Sequence, residues 1–187
     1  MLFKHFADLD AVPIILDVHT ADEIVAAVRA IAPSFGGINL EDIAAPICFE
    51  VEERLKAELP IPVFHDDQHG TAVVTLAGLI NACKLTDRAL KDSKVVLVGA
   101  GAAGVAIAKL LNLYAPGIKI IPVDSQGVLY KGRDNLNASK EALLEFTNPD
   151  NVQGSLADAL AGADIFIGVS QPGLLTGGMI KTMAARP

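Results

Sequence analysis

Two groupings of residues in this chain have types and spacing that could do chemistry. The first is a pair of acidic doublets, Glu41-Asp42 and Asp66-Asp67, each closing a short apolar run, Phe35 to Leu40 and Ile61 to Phe64. Carboxylates gathered in one place repel and raise one another's pKa unless a cation neutralises them. An all-oxygen donor set suits a hard cation, Mg²⁺ or Mn²⁺, and not zinc. The second grouping is Gly99-Ala100-Gly101-Ala102-Ala103-Gly104, which follows the apolar run Val95 to Val98 and opens an Ala-rich stretch of helical character. Strand, glycine-spaced turn and helix in that order form a dinucleotide-binding pattern. Gly99 permits the turn, Gly101 lets the backbone approach a pyrophosphate, and Gly104 lets the helix pack closely on the strand. Ala102 and Ala103 stand where the helix N-terminus offers free N–H groups and the positive end of its dipole. Asp124 follows about 20 residues after the last glycine, where an acid accepts ribose hydroxyls, and Ser125 adjoins it. The same residues in a purely structural role would be helix caps, solvated loop acids and a tightly packed turn.

The elements that must position these groups alternate. Val12 to Leu16 reads as a strand ending at Asp17, and Thr20-Ala21-Asp22-Glu23 as a capping box opening a helix to about Ile31. Phe35 to Leu40 reads as a second strand. Pro46 starts a helix to about Leu59, and Ile61 to Phe64 is a third strand ending at His65-Asp66-Asp67. Short connections between strands and helices imply right-handed crossovers and a parallel sheet, whose strands all end on one edge. Ligands bind at that edge, so Glu41, Asp42, Asp66 and Asp67 are expected to converge there, with Asp17 at the periphery and better read as a cap or solvated acid. His65 and His69 flank the second doublet as orienting hydrogen-bond partners; His5 and His19 have no constellation.

Gly70 to Lys84 is predicted as a buried helix linking two lobes, and Gly117 to Asp124 as the strand after the glycine turn. Val128 to Tyr130 reads as a short strand, Lys140 to Phe146 and Ser155 to Ala161 as helices, and Ala163 to Val169 as a further parallel strand. Ser170, at the end of that strand, would face the nicotinamide. The fold class is therefore α/β, a parallel βαβ lobe over residues 1–69 followed by a Rossmann-like domain over 70–187. About four strands follow Lys94 where a full Rossmann unit has about six, and Met1 to Phe6 reads as the middle of an element. The fold is expected to be incomplete at both ends, with an open sheet edge that another chain or further sequence covers.

Composition narrows the partners. A net charge of −7 over 187 residues, without a basic cluster, argues against nucleic acid and anionic membrane. The longest apolar run carries the glycine turn and is too short to span a bilayer, which needs about 20 residues. Lys4, His5 and Asp8 interrupt any secretory signal, and Cys48 and Cys83 lack metal or redox spacing, as expected of buried reduced thiols in a cytoplasmic protein.

Four stretches together resemble the bacterial type of malic enzyme: Phe35-Gly36-Gly37-Ile38-Asn39-Leu40-Glu41-Asp42-Ile43, Phe64-His65-Asp66-Asp67-Gln68-His69-Gly70-Thr71-Ala72, the Gly99 to Gly104 turn, and Gly168-Val169-Ser170-Gln171-Pro172-Gly173. The resemblance implies oxidative decarboxylation of malate to pyruvate with NAD(P) and a divalent metal, Mg²⁺ or Mn²⁺. It implies that Glu41, Asp42 and Asp67 are metal ligands and that Asp66 supports the acid/base machinery. Asp124, with no basic residue directly after it, favours NAD, while Lys131 and Arg133 keep NADP open. The family's catalytic Lys and Tyr match positions outside this chain, so the resemblance implies a central fragment that keeps the metal and dinucleotide determinants. Family precedent also implies a homo-oligomer, a dimer. Two other classes compete: a non-catalytic dinucleotide-binding module, and another two-domain NAD-dependent dehydrogenase, which would need lobe lysines where only Lys4 and Lys56 precede the linking helix.

Overall fold

The computed structural model describes residues 1–187. The first half holds α1 (Leu2–Ala7), α2 (Ala21–Ile31), β1 (Ile38–Leu40), α3 (Ile47–Glu58) and β2 (Val63–His65). Thr20 caps α2 as its sequence requires: its Oγ1 accepts the Glu23 N–H at 3.3 Å, and the Glu23 carboxylate accepts the Thr20 N–H at 3.0 Å. Ile24, Val25 and Val28 of α2 and Val51 and Leu55 of α3 close over Leu40 and Val63, making a small core of their own. β1 and β2 pair in parallel, with Leu40 opposite His65. After β2 the chain forms a π-helical turn, Asp66–Gly70, and then α4 (Thr71–Thr86).

The second half contains β3 (Lys94–Val98), α5 (Ala102–Tyr114), β4 (Lys119–Asp124), β5 (Gly127–Val128), α6 (Ala138–Leu143), α7 (Leu156–Leu160), β6 (Ile165–Gly168) and α8 (Gly177–Ile180). Its sheet runs β5-β4-β3-β6, parallel throughout except for β5, which lies antiparallel to β4. β3 is covered on both faces, as a central parallel strand must be. Val95 and Leu97 join α5 residues Val105, Ile107 and Leu111 in one core, while Val96 and Val98 join Ile121, Val123 and Leu160 in the other. β4 and β6 flank β3 on opposite sides, so the strand order switches beside it and opens the crevice where ligands bind in doubly wound sheets.

The structure departs from the sequence reading in three places. Val12 to Leu16 is not a strand: residues 8–19 have no regular structure, and Val12 and Ile15 are 66% and 97% exposed. A strand needs a neighbour to take its ladder bonds, and Pro13 also removes one donor. Asp17 consequently stays off the ligand edge and pairs only with His19, 3.5 Å away. α4 is not a buried helix either, since only Ala72 and Cys83 are buried and Val73, Val74 and Leu85 are exposed. The third strand of the second half is the two residues of β5 and runs antiparallel.

Candidate functional site

The two acidic doublets end β1 and β2, which are neighbours, and the structure joins them directly: the Asp42 N–H donates to the Asp67 carboxylate at 3.2 Å. Asp42 reaches this position with φ at 56°, a left-handed conformation that Asp tolerates. Glu41 is exposed and its carboxylate accepts the Asn39 side-chain amide at 2.9 Å. Asp66 is exposed and lies over Gly70, where a Cβ would run into its carboxylate. Gly70 is thus a site residue that the sequence reading passed over, and its signal was a glycine four residues after an acid. Glu41, Asp42 and Asp67 are not drawn into a closed cage of three carboxylates. Their donor chemistry fits a hard divalent cation, and Glu41 and Asp42 are exposed enough to turn toward one.

Behind the second doublet lies a cluster that sequence alone did not single out. Glu52 of α3 is buried, and its carboxylate accepts from Lys56 Nζ at 2.7 Å, from His69 Nε2 at 2.7 Å and from Gln68 Nε2 at 3.2 Å. Burial alone would raise Glu52, but the ammonium and the imidazole hold it below the usual carboxylate range. His69 is an orienting partner as expected, though toward Glu52 and not toward the doublets. His65 is not: it is fully buried on β2 with neither ring nitrogen partnered. Cys48 is buried in the same region, and that burial pushes its thiol up, which makes it a poor nucleophile.

The glycine turn has the predicted shape. Gly99 takes φ of 112°, and a Cβ there would stand 2.8 Å from the Val169 carbonyl oxygen. A Cβ on Gly104 would strike the Gly99 carbonyl oxygen, so the first turn of α5 rests directly on the loop that precedes it. Gly101 caps α5 without a side chain and has open space before it, leaving the N–H groups of Ala102 and Ala103 clear for an anion. Ser170 is exposed just after Val169, which the Gly99 turn touches, and so borders the crevice from the β6 side. Ser125 is exposed in the turn after β4. The Asp66–Gly70 turn packs against α5, so the acid edge and the glycine turn share a wall.

Asp124 ends β4 beside this crevice, but it is already engaged. Arg133 grips it with two bonds, Nη1 to Oδ1 at 2.9 Å and Nη2 to Oδ2 at 2.5 Å, and Lys140 Nζ adds a third at 2.7 Å. Burial would raise this carboxyl, yet the Arg133 guanidinium and Lys140 ammonium outweigh it and hold Asp124 far below the usual carboxylate range. Two cations on one acid largely cancel the repulsion it would exert on a 2′-phosphate, which weakens the preference for NAD expected from Asp124 and accords with Arg133 keeping NADP open. A carboxyl depressed in the folded state stabilises the fold above its unfolded value, about 3.9, and loses that contribution as pH falls toward the folded value. Urea midpoints measured from pH 5 down to about pH 3 should therefore fall more steeply for the parent than for Asp124→Asn; parallel curves would contradict this assignment.

Comparison with known proteins agrees with this geometry. The family model described as "Malic enzyme, NAD binding domain" matches residues 68–187, and the one described as "Malic enzyme, N-terminal domain" matches residues 19–56. The chain is 57% identical over its whole length to an NAD-dependent malic enzyme of Geobacillus stearothermophilus, covering 39% of that protein. It is 54% identical to the bifunctional malic/malolactic enzyme of Bacillus subtilis, covering 46% of it. The crystal structure of the NAD-dependent malic enzyme from Thermotoga maritima superposes on the whole chain with a TM-score of 0.94 at 46% identity, and the chain covers 50% of it. The chain thus spans half or less of the length of these relatives, and no helix in it is long and apolar enough to cross a membrane. Since the match over residues 68–187 alone takes in well over half of its length, the chain belongs to the malic enzyme family.

Proposed function

We propose that this chain carries the metal and dinucleotide determinants of an enzyme that oxidises and decarboxylates malate to pyruvate. The observation that carries the reading is the junction of the two groupings: the Asp42–Asp67 bond closes the acid edge, and the turn bearing Asp67 packs on the helix that the glycine turn opens. Glu41, Asp42 and Asp67 are the residues that would hold a divalent cation, and Asp66 stands beside them with a free carboxylate able to accept and return a proton. A bound cation supplies Lewis acidity at the malate C2 oxygen, and bound NAD(P) takes up the hydride. The N–H groups at the start of α5 receive the pyrophosphate, Asp124 with Arg133 and Lys140 receives the adenosine ribose, and Ser170 borders the nicotinamide.

The domain division at residues 69 and 70 belongs to the same reading, supported by Ala72 and Cys83 of α4 lying in one core with Val95 and Leu111. A homodimer belongs to the same reading, and two unpaired buried cysteines suit a reducing, cytoplasmic setting. The proton-moving Lys and Tyr of the reaction are expected from outside these residues. Titrating Mn²⁺ and NAD into the chain, then assaying NADH and pyruvate with malate, tests the metal, dinucleotide and catalytic parts of this reading. Both should bind and no NADH should form. Turnover would mean that the proton-moving groups lie within residues 1–187, NAD binding without Mn²⁺ would favour a non-catalytic dinucleotide module, and binding of neither would overturn the reading.

A further inference from the structure

We propose that Glu52 is the positioning residue for the acid-bearing turn and so sets the affinity of the metal site; this rests on the reading of Glu41, Asp42 and Asp67 as its ligands. The turn Asp66–Gly70 is π-helical, a rare geometry that occurs mostly as isolated single turns, frequently at functional sites. Support from outside the turn comes from one carboxylate, which accepts from both Gln68 and His69, the two residues that follow Asp67. Gln68 is only 4% exposed and Glu52 6%, so the Gln68 bond of the grip lies in the interior, where hydrogen bonds are strong and an unpaired charge is costly, while His69 donates from a partly exposed position. Lys56, one turn along α3, balances the charge.

The position of Glu52 in the chain gives the grip its meaning. α3 begins five residues after Asp42, so one rigid helix both follows the first acidic doublet and holds the turn that carries the second. The pairing of β1 with β2 sets the doublets side by side and the Asp42–Asp67 bond closes them, while the Glu52 grip fixes how the turn that carries the second doublet sits on α3. Glu52 touches none of the four acids in this arrangement. It acts through Gln68 and His69, as the partners that orient metal ligands do.

The test compares the parent chain with Glu52→Gln, which keeps the shape but turns an amide N–H toward one of the three donors. Mn²⁺ affinity is expected to fall roughly 10–100-fold, NAD affinity to stay unchanged, and amide hydrogen exchange to quicken over residues 66–71 but not over β3. A merely structural role would lower thermal stability and both affinities together. His69→Leu, which removes one donor from the partly exposed side, is expected to shift Mn²⁺ affinity the same way by less and serves if Glu52→Gln does not fold. Unchanged Mn²⁺ affinity in both variants, in a chain where Asp67→Asn abolishes Mn²⁺ binding, overturns the proposal. If Asp67→Asn leaves Mn²⁺ binding intact, the ligand reading is what fails, and exchange over residues 66–71 alone decides whether Glu52 holds the turn.

Discussion

Asp67→Ala should lose Mn²⁺ binding almost entirely, by more than the roughly 10–100-fold that removal of a group supporting a ligand costs. Two effects combine at this residue. Alanine removes one carboxylate from the oxygen donors and also frees the Asp42 N–H, which now donates to Asp67 at 3.2 Å and ties the ends of β1 and β2 together. Asp67→Asn separates them, because the amide oxygen can still accept from Asp42 while the negative charge is gone. Asparagine is therefore expected to keep the melting temperature and lose the metal, and alanine to lose both. Isothermal titration with Mn²⁺ and thermal melts of the two variants check this. Parent-like Mn²⁺ affinity in either would remove Asp67 from the ligand set.

The second large effect is expected at Gly104. Glycine to alanine inside a helix ordinarily stabilises by about 0.5–1 kcal/mol through helix propensity. At Gly78 of α4 nothing lies within 4 Å of the added carbon, and Gly78→Ala should show that gain. At Gly104 the same methyl meets the carbonyl oxygen of Gly99, in a turn tied to β4 by the Gly99 N–H donating to the Val123 carbonyl, and cannot enter unless the loop moves. Overpacking of this kind costs about 1–3 kcal/mol, which exceeds the propensity gain. A net loss lowers Tm by about 2–4 °C per kcal/mol in a chain of this length. More telling is the expected loss of NAD binding, since the displaced loop is the one that receives the pyrophosphate. Melting curves and NAD titration of the two alanine variants read both effects, and a Gly104→Ala variant as stable and as NAD-competent as Gly78→Ala would refute the argument.

Sequence reading reached the second half of the fold well, for reasons visible in particular residues. Val95 to Val98 are apolar without alternation because β3 is buried on both faces, and Gly99 to Gly104 are small because α5 sits on the preceding loop. Thr20 and Glu23 announced α2 through a local bond that needs no tertiary partner. Long-range pairing was what the sequence concealed. Val12 to Leu16 has strand composition but no strand beside it, and β-propensity expresses packing on a neighbour more than an intrinsic preference. Asp124 looked like a free ribose acceptor because Arg133 and Lys140, 9 and 16 residues further on, are brought back to it only by the folded loop. Glu52 gave no signal at all, since a glutamate in an amphipathic helix usually faces water, and only the placement of β2 reveals its partners.

The exposed first 17 residues and the bare outer face of α4 have a calorimetric consequence. The folded chain keeps 10931 Å² of accessible surface, where a compact monomer of its 19.5 kDa mass would keep roughly 8,500 Å². Against the roughly 28,000 Å² of its unfolded chain it buries about 60%, the fraction typical of a 60-residue domain and not of one with 187 residues. Heat-capacity change and denaturant sensitivity both scale with the surface exposed on unfolding. Per residue, this chain should therefore unfold with a heat-capacity increment below the usual 12–15 cal/mol/K, about 12–15 being the range for ordinary globular proteins, and its stability curve should be correspondingly flat in temperature.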